Sequence, residues 1–250
     1  MKAKTMLPWM LVLASAAVQA QTVTIRADNW YPMNGDPKSP KPGYMIEMAQ
    51  AILAPQGIQV DYATMPWERA VHSVRAGEYD CVVGAFKEDT PDFVFPQLPW
   101  GSDQTTVYVK AGDAWRYTGL DSLESRKVGL IGGYSYHEAF DKYIEQNASL
   151  AQFIKGDNAL ENNIQKLLAG RIDTTVESPL VMAAKLKDMG LQGQVAVAGT
   201  LGEPNAMYIA CSPAKADSQA LVRMLDEGTR TLRESGALAR ILERYGLTDW

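Results

Sequence analysis

Two short stretches, Ala76-Gly77-Glu78-Tyr79-Asp80 and Ala169-Gly170-Arg171-Ile172-Asp173, decide how the chain is read. Each follows a segment with helical spacing, residues 67–75 and 160–168. In each a glycine falls just after the last helical turn, where the chain needs the left-handed conformation that glycine adopts without strain. Strand-like residues, 79–86 and 172–177, follow at once. A helix that stops on Ala-Gly and passes directly into a strand, twice, points to a repeated unit.

The repeat extends outward from these stops. Before the first, residues 23–27 alternate as a strand and 28–43 form a loop rich in Pro, Gly and Asn. Residues 44–53 then place Met45, Met48, Ala49 and Ile52 on one helical face, and 58–62 form a second strand. Before the second stop, residues 127–131 read as a strand, 132–136 as a turn, 137–145 as a helix and 153–155 as a short strand. Strands alternating with helices predict an α/β fold with mainly parallel sheets, here as two lobes. Residues 91–109 and 195–210 are long enough to cross between them. Amphipathic helices at 221–232 and 237–245 would then return to the first lobe. The expected division is lobe 1 from 21–105 with 207–250, and lobe 2 from 106–206. A single continuous α/β domain is the competing arrangement.

Composition excludes several function classes. The 250 residues carry 24 Lys+Arg against 29 Asp+Glu, a net charge of −5. Nucleic-acid binding relies on clustered basic residues, so no nucleic-acid partner is expected. Two cysteines and two histidines cannot build a disulfide-rich scaffold, a four-cysteine zinc site or a three-histidine centre. Residues 1–20 combine Lys2 and Lys4, an apolar run from 6 to 17 and a small-residue ending Val18-Gln19-Ala20. That is the pattern of a cleavable signal peptide, and the run is shorter than the roughly 20 residues of a membrane span. Cleavage after Ala20 would take the net charge from −5 to −7. Cys81 and Cys211 both lie in apolar strand-like runs and read as buried free thiols; export to an oxidising compartment keeps a disulfide open as the alternative.

Enzyme signatures are missing. The sequence has no Gly-x-x-x-x-Gly-Lys-Ser/Thr, no Gly-x-Gly-x-x-Gly and no Gly-x-Ser-x-Gly. His72 and His137 have no ligand-type partner at helical spacing and read as structural or solvent-facing. What stands out is a set of polar and aromatic residues where strands give way to helices, the ends of an open α/β sheet at which ligands bind. In the first half these are Asp28, Trp30, Tyr31, Trp67, Arg69, Lys87 and, in the crossover, Trp100. In the second they are Gly133, Tyr134 and Ser135 in a turn opening a helix, then Asn158 and Glu177. Asp28 and Asn158 serve equally well as caps, and each tryptophan as core.

The order and spacing of Asn29-Trp30-Tyr31-Pro32, Gly43-Tyr44-Met45-Ile46-Glu47-Met48, Pro66-Trp67-Glu68-Arg69-Ala70, the two helix stops, Gly132-Gly133-Tyr134-Ser135 and the C-terminal Arg240-Ile241-Leu242-Glu243-Arg244-Tyr245-Gly246 resemble the periplasmic solute-binding proteins of family 3, over about residues 21–250. The resemblance implies a type II periplasmic binding protein fold with two crossover strands and hinge closure on a small solute. It also implies a periplasmic monomer that delivers its solute to an ABC transporter permease, with no cofactor and no metal. One departure stands out. The family usually places an arginine near the first crossover to clamp the ligand's α-carboxylate, whereas this chain has Thr90-Pro91-Asp92-Phe93 and no arginine between Arg75 and Arg116. Either Arg69 or Lys87 takes that role, or the solute is not a standard α-amino acid. A cationic or ring-bearing solute suits the tryptophans and tyrosines. Similar proteins include cyclohexadienyl dehydratases, which would make Glu177 a general acid, and a sensor read by a separate receptor is a third reading.

Overall fold

A computed structural model describes residues 21–250; the expected signal peptide at 1–20 lies outside the described residues. The chain opens with β1 (Gln21–Ala27), α1 (Tyr44–Leu53), β2 (Ile58–Thr64), α2 (Trp67–Arg75), β3 (Cys81–Ala85) and the short β4 (Gly101–Asp103). It continues with β5 (Thr106–Lys110), β6 (Val128–Ile131), α3 (Glu138–Gln146), β7 (Ala151–Ile154), α4 (Ala159–Leu168), β8 (Thr174–Glu177), α5 (Pro179–Asp188) and β9 (Val195–Thr200). It closes with β10 (Asn205–Cys211), α6 (Ser218–Glu234) and α7 (Ala237–Glu243). Among the described residues, no helix is long and apolar enough to cross a membrane.

The strands form two sheets with one plan, ordered β2-β1-β3-β10-β4 and β7-β6-β8-β5-β9. In each, three parallel strands are followed by one antiparallel strand, and the edge strand beyond pairs antiparallel to that one. The chain passes between the sheets twice, from β4 to β5 and from β9 to β10. The fold is therefore the two-lobed α/β architecture expected from the sequence.

The repeated helix stop explains why the plan recurs. Gly77 and Gly170 are left-handed, with φ of 79° and 68°. The amides of Glu78 and Arg171 each reach back to the preceding helix, at Ser73 and Lys166, with bonds of 3.0 and 2.9 Å. The aspartate that ends each motif ties the strand in. Asp80 Oδ2 accepts from Thr24 N at 2.7 Å, and Asp173 Oδ2 accepts from Lys127 N at 2.7 Å. One five-residue signal thus caps a helix and ties the chain to the start of the first parallel strand of its own sheet, β1 in one lobe and β6 in the other.

The core of lobe 1 is larger and draws on the C-terminal helices. Gly228 lets α6 lie directly on α1, since a Cβ there would fall 2.2 Å from Ile52 Cγ2. Two expectations are corrected. Cys81 and Cys211 form a disulfide, because β10 returns antiparallel beside β3 and puts the two residues in register. Residues 179–188, not expected as an element, form α5. Its only buried apolar residues are Val181, Met182 and Leu186, too few at helical spacing to make the pattern stand out, and Pro179 starts it at the position where a missing N–H costs nothing.

Candidate functional site

The C-terminal ends of β1 and β3 in lobe 1 meet those of β6 and β8 in lobe 2, and a closely packed acidic and aromatic centre lies between them. After β1 the backbone folds back on itself: Trp30 N donates to Asn34 O at 2.8 Å, and Asn34 Nδ2 donates to Asp28 O at 2.7 Å. This turn aims the Trp30 indole across the cleft. There Nε1 donates to Glu177 Oε1 at 2.8 Å, and the same oxygen accepts from Ser178 N at 2.8 Å. The Trp30 ring meets Phe86 edge-on at 6.2 Å between centroids. It can lie this close to β3 because Gly84 stands beneath it: φ is +81°, and a Cβ would come within 3.2 Å of the ring. A second cross-lobe bond runs from the Tyr134 hydroxyl to Asp28 Oδ2. At the lip, Lys155 pairs with Glu68 at 2.6 Å, and Gly133, at φ +88°, sits so close that a Cβ would lie 2.9 Å from Glu68 Cβ. The lobes are therefore in contact.

Two cavities of about 30 Å³ each remain in the contact zone. Asp28, Trp30 and Tyr134 line both. The first also has Trp67, Phe86 and Asp89 in its wall, and the second Glu177, Leu160 and Lys185. Burial pushes the Glu177 carboxyl up to about 8; the negative charges of Asp103 and Asp28 add to this, and its hydrogen bonds from Trp30 and Ser178 oppose it. Burial likewise raises Asp89 to about 7, Asp28 to about 6 and Asp103 to about 6. Asp103 Oδ1 accepts from Ser178 Oγ at 2.6 Å, which links the first crossover to the end of β8. A buried carboxylate is stabilised by a positive charge or a donor, so this centre suits a cation held against aromatic faces.

Of the residues expected at the site, the structure brings together Asp28, Trp30, Trp67, Tyr134, Ser135 and Glu177, with Gly133 at the lip. Ser135 lines the first cavity, with its hydroxyl donated to Asp141 at 2.7 Å. Arg69 is exposed in an open groove between the lobes that adjoins the contact zone, where Asp28, Trp67, Glu68, Gly132 and Lys155 also line the wall. The remaining four lie elsewhere. Trp100 is fully buried in the lobe 1 core, where Nε1 donates to Thr229 Oγ1 at 3.0 Å, because α6 packs over it. Lys87 is exposed and places Nζ 4.9 Å from the Tyr208 ring. Tyr31 packs on Tyr245 at 5.8 Å on the surface of lobe 1. Asn158 is an exposed helix-start residue with no side-chain cap bond.

Phe86, Asp89 and Asp103 were missed. Asp89 lies two residues past Lys87 on the same polar loop, Lys87-Glu88-Asp89-Thr90, where nothing in the sequence separates it from its charged neighbours. The stretch that carries the family's usual arginine is committed to structure here. Asp92 forms a two-point pair with Arg75 at 2.8 and 3.0 Å, and Phe93 is buried in lobe 1 beneath Arg75.

Comparison with known proteins agrees with this architecture. A probable histidine-binding protein of Neisseria gonorrhoeae is 22% identical over 217 residues, covering 84% of this chain and 76% of that protein. An amino acid ABC transporter substrate-binding protein of Streptococcus pneumoniae, bound to L-arginine, superposes with a TM-score of 0.71 at 23% identity, covering 90% of this chain and 94% of that one. A histidine kinase sensor domain with similarity to periplasmic binding proteins superposes at 0.76 with 18% identity, covering 91% and 98%. Residues 23–248 match the family model itself, and with two like-built lobes meeting at their strand ends, the chain belongs to the bacterial extracellular solute-binding proteins, family 3.

Proposed function

We propose that this protein captures a small polar solute, an amino acid or an amino-acid-like cationic metabolite, between its lobes in the periplasm and delivers it to the permease of an ABC importer. Asp28, Trp30, Trp67, Tyr134, Ser135 and Glu177 would contact the solute. The lobes, 21–105 with 207–250 and 106–206, would open about the two crossovers as separate bodies, and the protein would act as a monomer. The observation that carries the reading is the cross-lobe pair of contacts, Trp30 to Glu177 and Tyr134 to Asp28. Side chains from both lobes there enclose one acidic, aromatic space, and a solute within it would be held by both halves at once.

A ligand that binds only the folded state stabilises it by mass action, about 2.7 kcal/mol at a hundredfold excess over Kd. For a chain of this size that is a rise in Tm of about 5–10 °C. A thermal-shift panel of amino acids, amines and small organic acids, run on refolded protein freed of co-purified solute, tests the reading. A shift of that size with at least one cationic member supports it, and no shift across the panel refutes it. The likeness to a histidine kinase sensor domain favours a second reading, in which the closed form reports the solute to a separate receptor. Stimulation of a reconstituted importer by the loaded protein supports delivery over signalling.

A further inference from the structure

Two oxygens in the contact zone have a chemistry that narrows the solute. Glu177 is only 2% exposed; its Oε1 accepts two bonds, yet its Oε2 is buried with no hydrogen-bond partner among the described residues. Asp89 Oδ1 is in the same position. A buried acceptor left without a donor is expensive, and two of them facing the cleft are places where a ligand's donors belong. They sit on opposite sides of a partition made by Asp28, Trp30 and Tyr134, with Asp89 on the first small cavity and Glu177 on the second.

The cations nearby do not offer a carboxylate site in this space. Lys155 is exposed and paired with Glu68, Arg75 is paired with Asp92, and Arg26 with Asp61. Lys87 lies over Tyr208, and Arg69 lines neither small cavity but the adjoining groove that shares Asp28 and Trp67 with the first. Lys185 lines the second cavity and also the open groove beside Tyr31, so it is shared between the two spaces. An α-carboxylate placed between Asp28, Asp89 and Glu177 would face three further carboxyl groups, each of which it would discourage from ionising. Each cavity, at about 30 Å³, holds little more than one or two water-sized groups, enough for an ammonium but not for an ammonium and a carboxylate together.

We propose that the solute is an organic amine without a carboxylate, and that a compact aliphatic diamine is its best match. One ammonium would donate to Asp89 Oδ1 in the cavity walled by Trp67 and Phe86, and the other to Glu177 Oε2 beyond Trp30. The hydrocarbon between them would pass Asp28, parting the Asp28–Tyr134 contact. This rests on the solute-capture reading and names the class of solute for it.

Calorimetric titration of refolded wild-type protein at pH 8 with matched pairs tests it. The diamines are 1,4-diaminobutane and 1,5-diaminopentane. Their partners ornithine and lysine are the same chains with one added carboxylate, and n-butylamine is the single-ended control. Each diamine should bind at least about tenfold more tightly than its amino-acid partner and than n-butylamine. Glu177→Gln and Asp89→Asn, which keep the size of each group, should each weaken 1,4-diaminobutane by about tenfold or more while circular dichroism stays unchanged. Tighter binding of ornithine or lysine than of the diamines overturns this inference and leaves solute capture standing. Equal binding of n-butylamine and 1,4-diaminobutane overturns the two-ended site. Unchanged diamine affinity in both folded variants overturns the assignment of the two carboxylates. Failure of every amine and every amino acid to bind overturns the inference together with the solute-capture reading beneath it.

Discussion

Replacing Glu177 by glutamine should flatten the dependence of stability on pH. The carboxyl stands at about 8 in the folded protein against 4.5 when exposed, with burial the main cause. Between those values the folded chain keeps a proton that the unfolded chain has lost. Stability linked to this group is therefore fully present below about pH 4.5 and is lost as pH rises through 8. A shift of that size is worth roughly 5 kcal/mol at 1.36 kcal/mol per pH unit. Relaxation around the ionised group brings the expected loss to about 2–5 kcal/mol. Asp28, Asp89 and Asp103 face the same space with raised values and act with the same sign, Asp28 and Asp103 at lower pH. They are present in both proteins, so the difference between the two curves isolates Glu177. Glutamine Oε1 can still accept from Trp30 and Ser178, which keeps the geometry comparable. The assay is urea unfolding of solute-free protein at pH 5 and pH 8.5 at constant ionic strength. Wild type should lose about 2–5 kcal/mol more than Glu177→Gln across that interval. Curves that stay parallel to within about 0.5 kcal/mol, an extrapolation-sized difference, would refute the argument that this carboxyl is buried and protonated.

Three further outcomes follow from the same contacts. The Cys81–Cys211 disulfide closes a loop of 130 residues, for which loss of loop-closure entropy gives roughly 5 kcal/mol; the Cys81→Ala, Cys211→Ala double variant should lose about 2–5 kcal/mol in denaturant, and an unchanged midpoint would argue that the bridge does not stabilise the fold. Trp30→Phe keeps the ring against Phe86 but removes the donor to Glu177, so the closed arrangement should weaken by about 1–3 kcal/mol and the radius of gyration in solution scattering should increase; an identical profile refutes the bond as a cross-lobe latch. Trp100→Phe should cost about 1–2 kcal/mol of stability through its lost bond to Thr229, with solute affinity unchanged to within about twofold in calorimetry; a tenfold change would return Trp100 to the cleft.

The local rules were legible and the distant pairings were not. The Ala-Gly stops carried their own explanation, because the left-handed glycine acts on the helix just before it, whereas the aspartate that follows reaches a strand 56 or 46 residues earlier and was not foreseen. Trp30 and Trp100 look alike in sequence, each an indole beside a loop. What separates them is α6, which begins at Ser218 and covers only Trp100 through Thr229. The disulfide has the same character: the register of β10 on β3 decides it, and nothing near either cysteine encodes that register. Lys87 was the attractive residue on its loop because a positive charge suggested a carboxylate partner. Two residues on, Asp89 is the one the backbone turns inward, since Asp89 Oδ2 accepts the Phe86 amide and pulls the chain back over β3.

The duplicated plan also explains why the site is acidic from both sides. In each sheet the first and third parallel strands end at the cleft: β1 leads to Asp28 and Trp30, β3 to Phe86 and Asp89, β6 to Tyr134, and β8 ends on Glu177. Bringing the lobes together then sets carboxylates from both halves into one low-dielectric space, where their mutual repulsion and lost hydration oppose closure. The Trp30 and Tyr134 hydrogen bonds offset part of that opposition. A bound cation would offset far more, because it neutralises charge that each half brings and neither can neutralise alone. Closure and cation capture are thus coupled by the placement of four strand ends. Removing a carboxylate should therefore do two things at once, easing closure of the empty protein and weakening its hold on the solute.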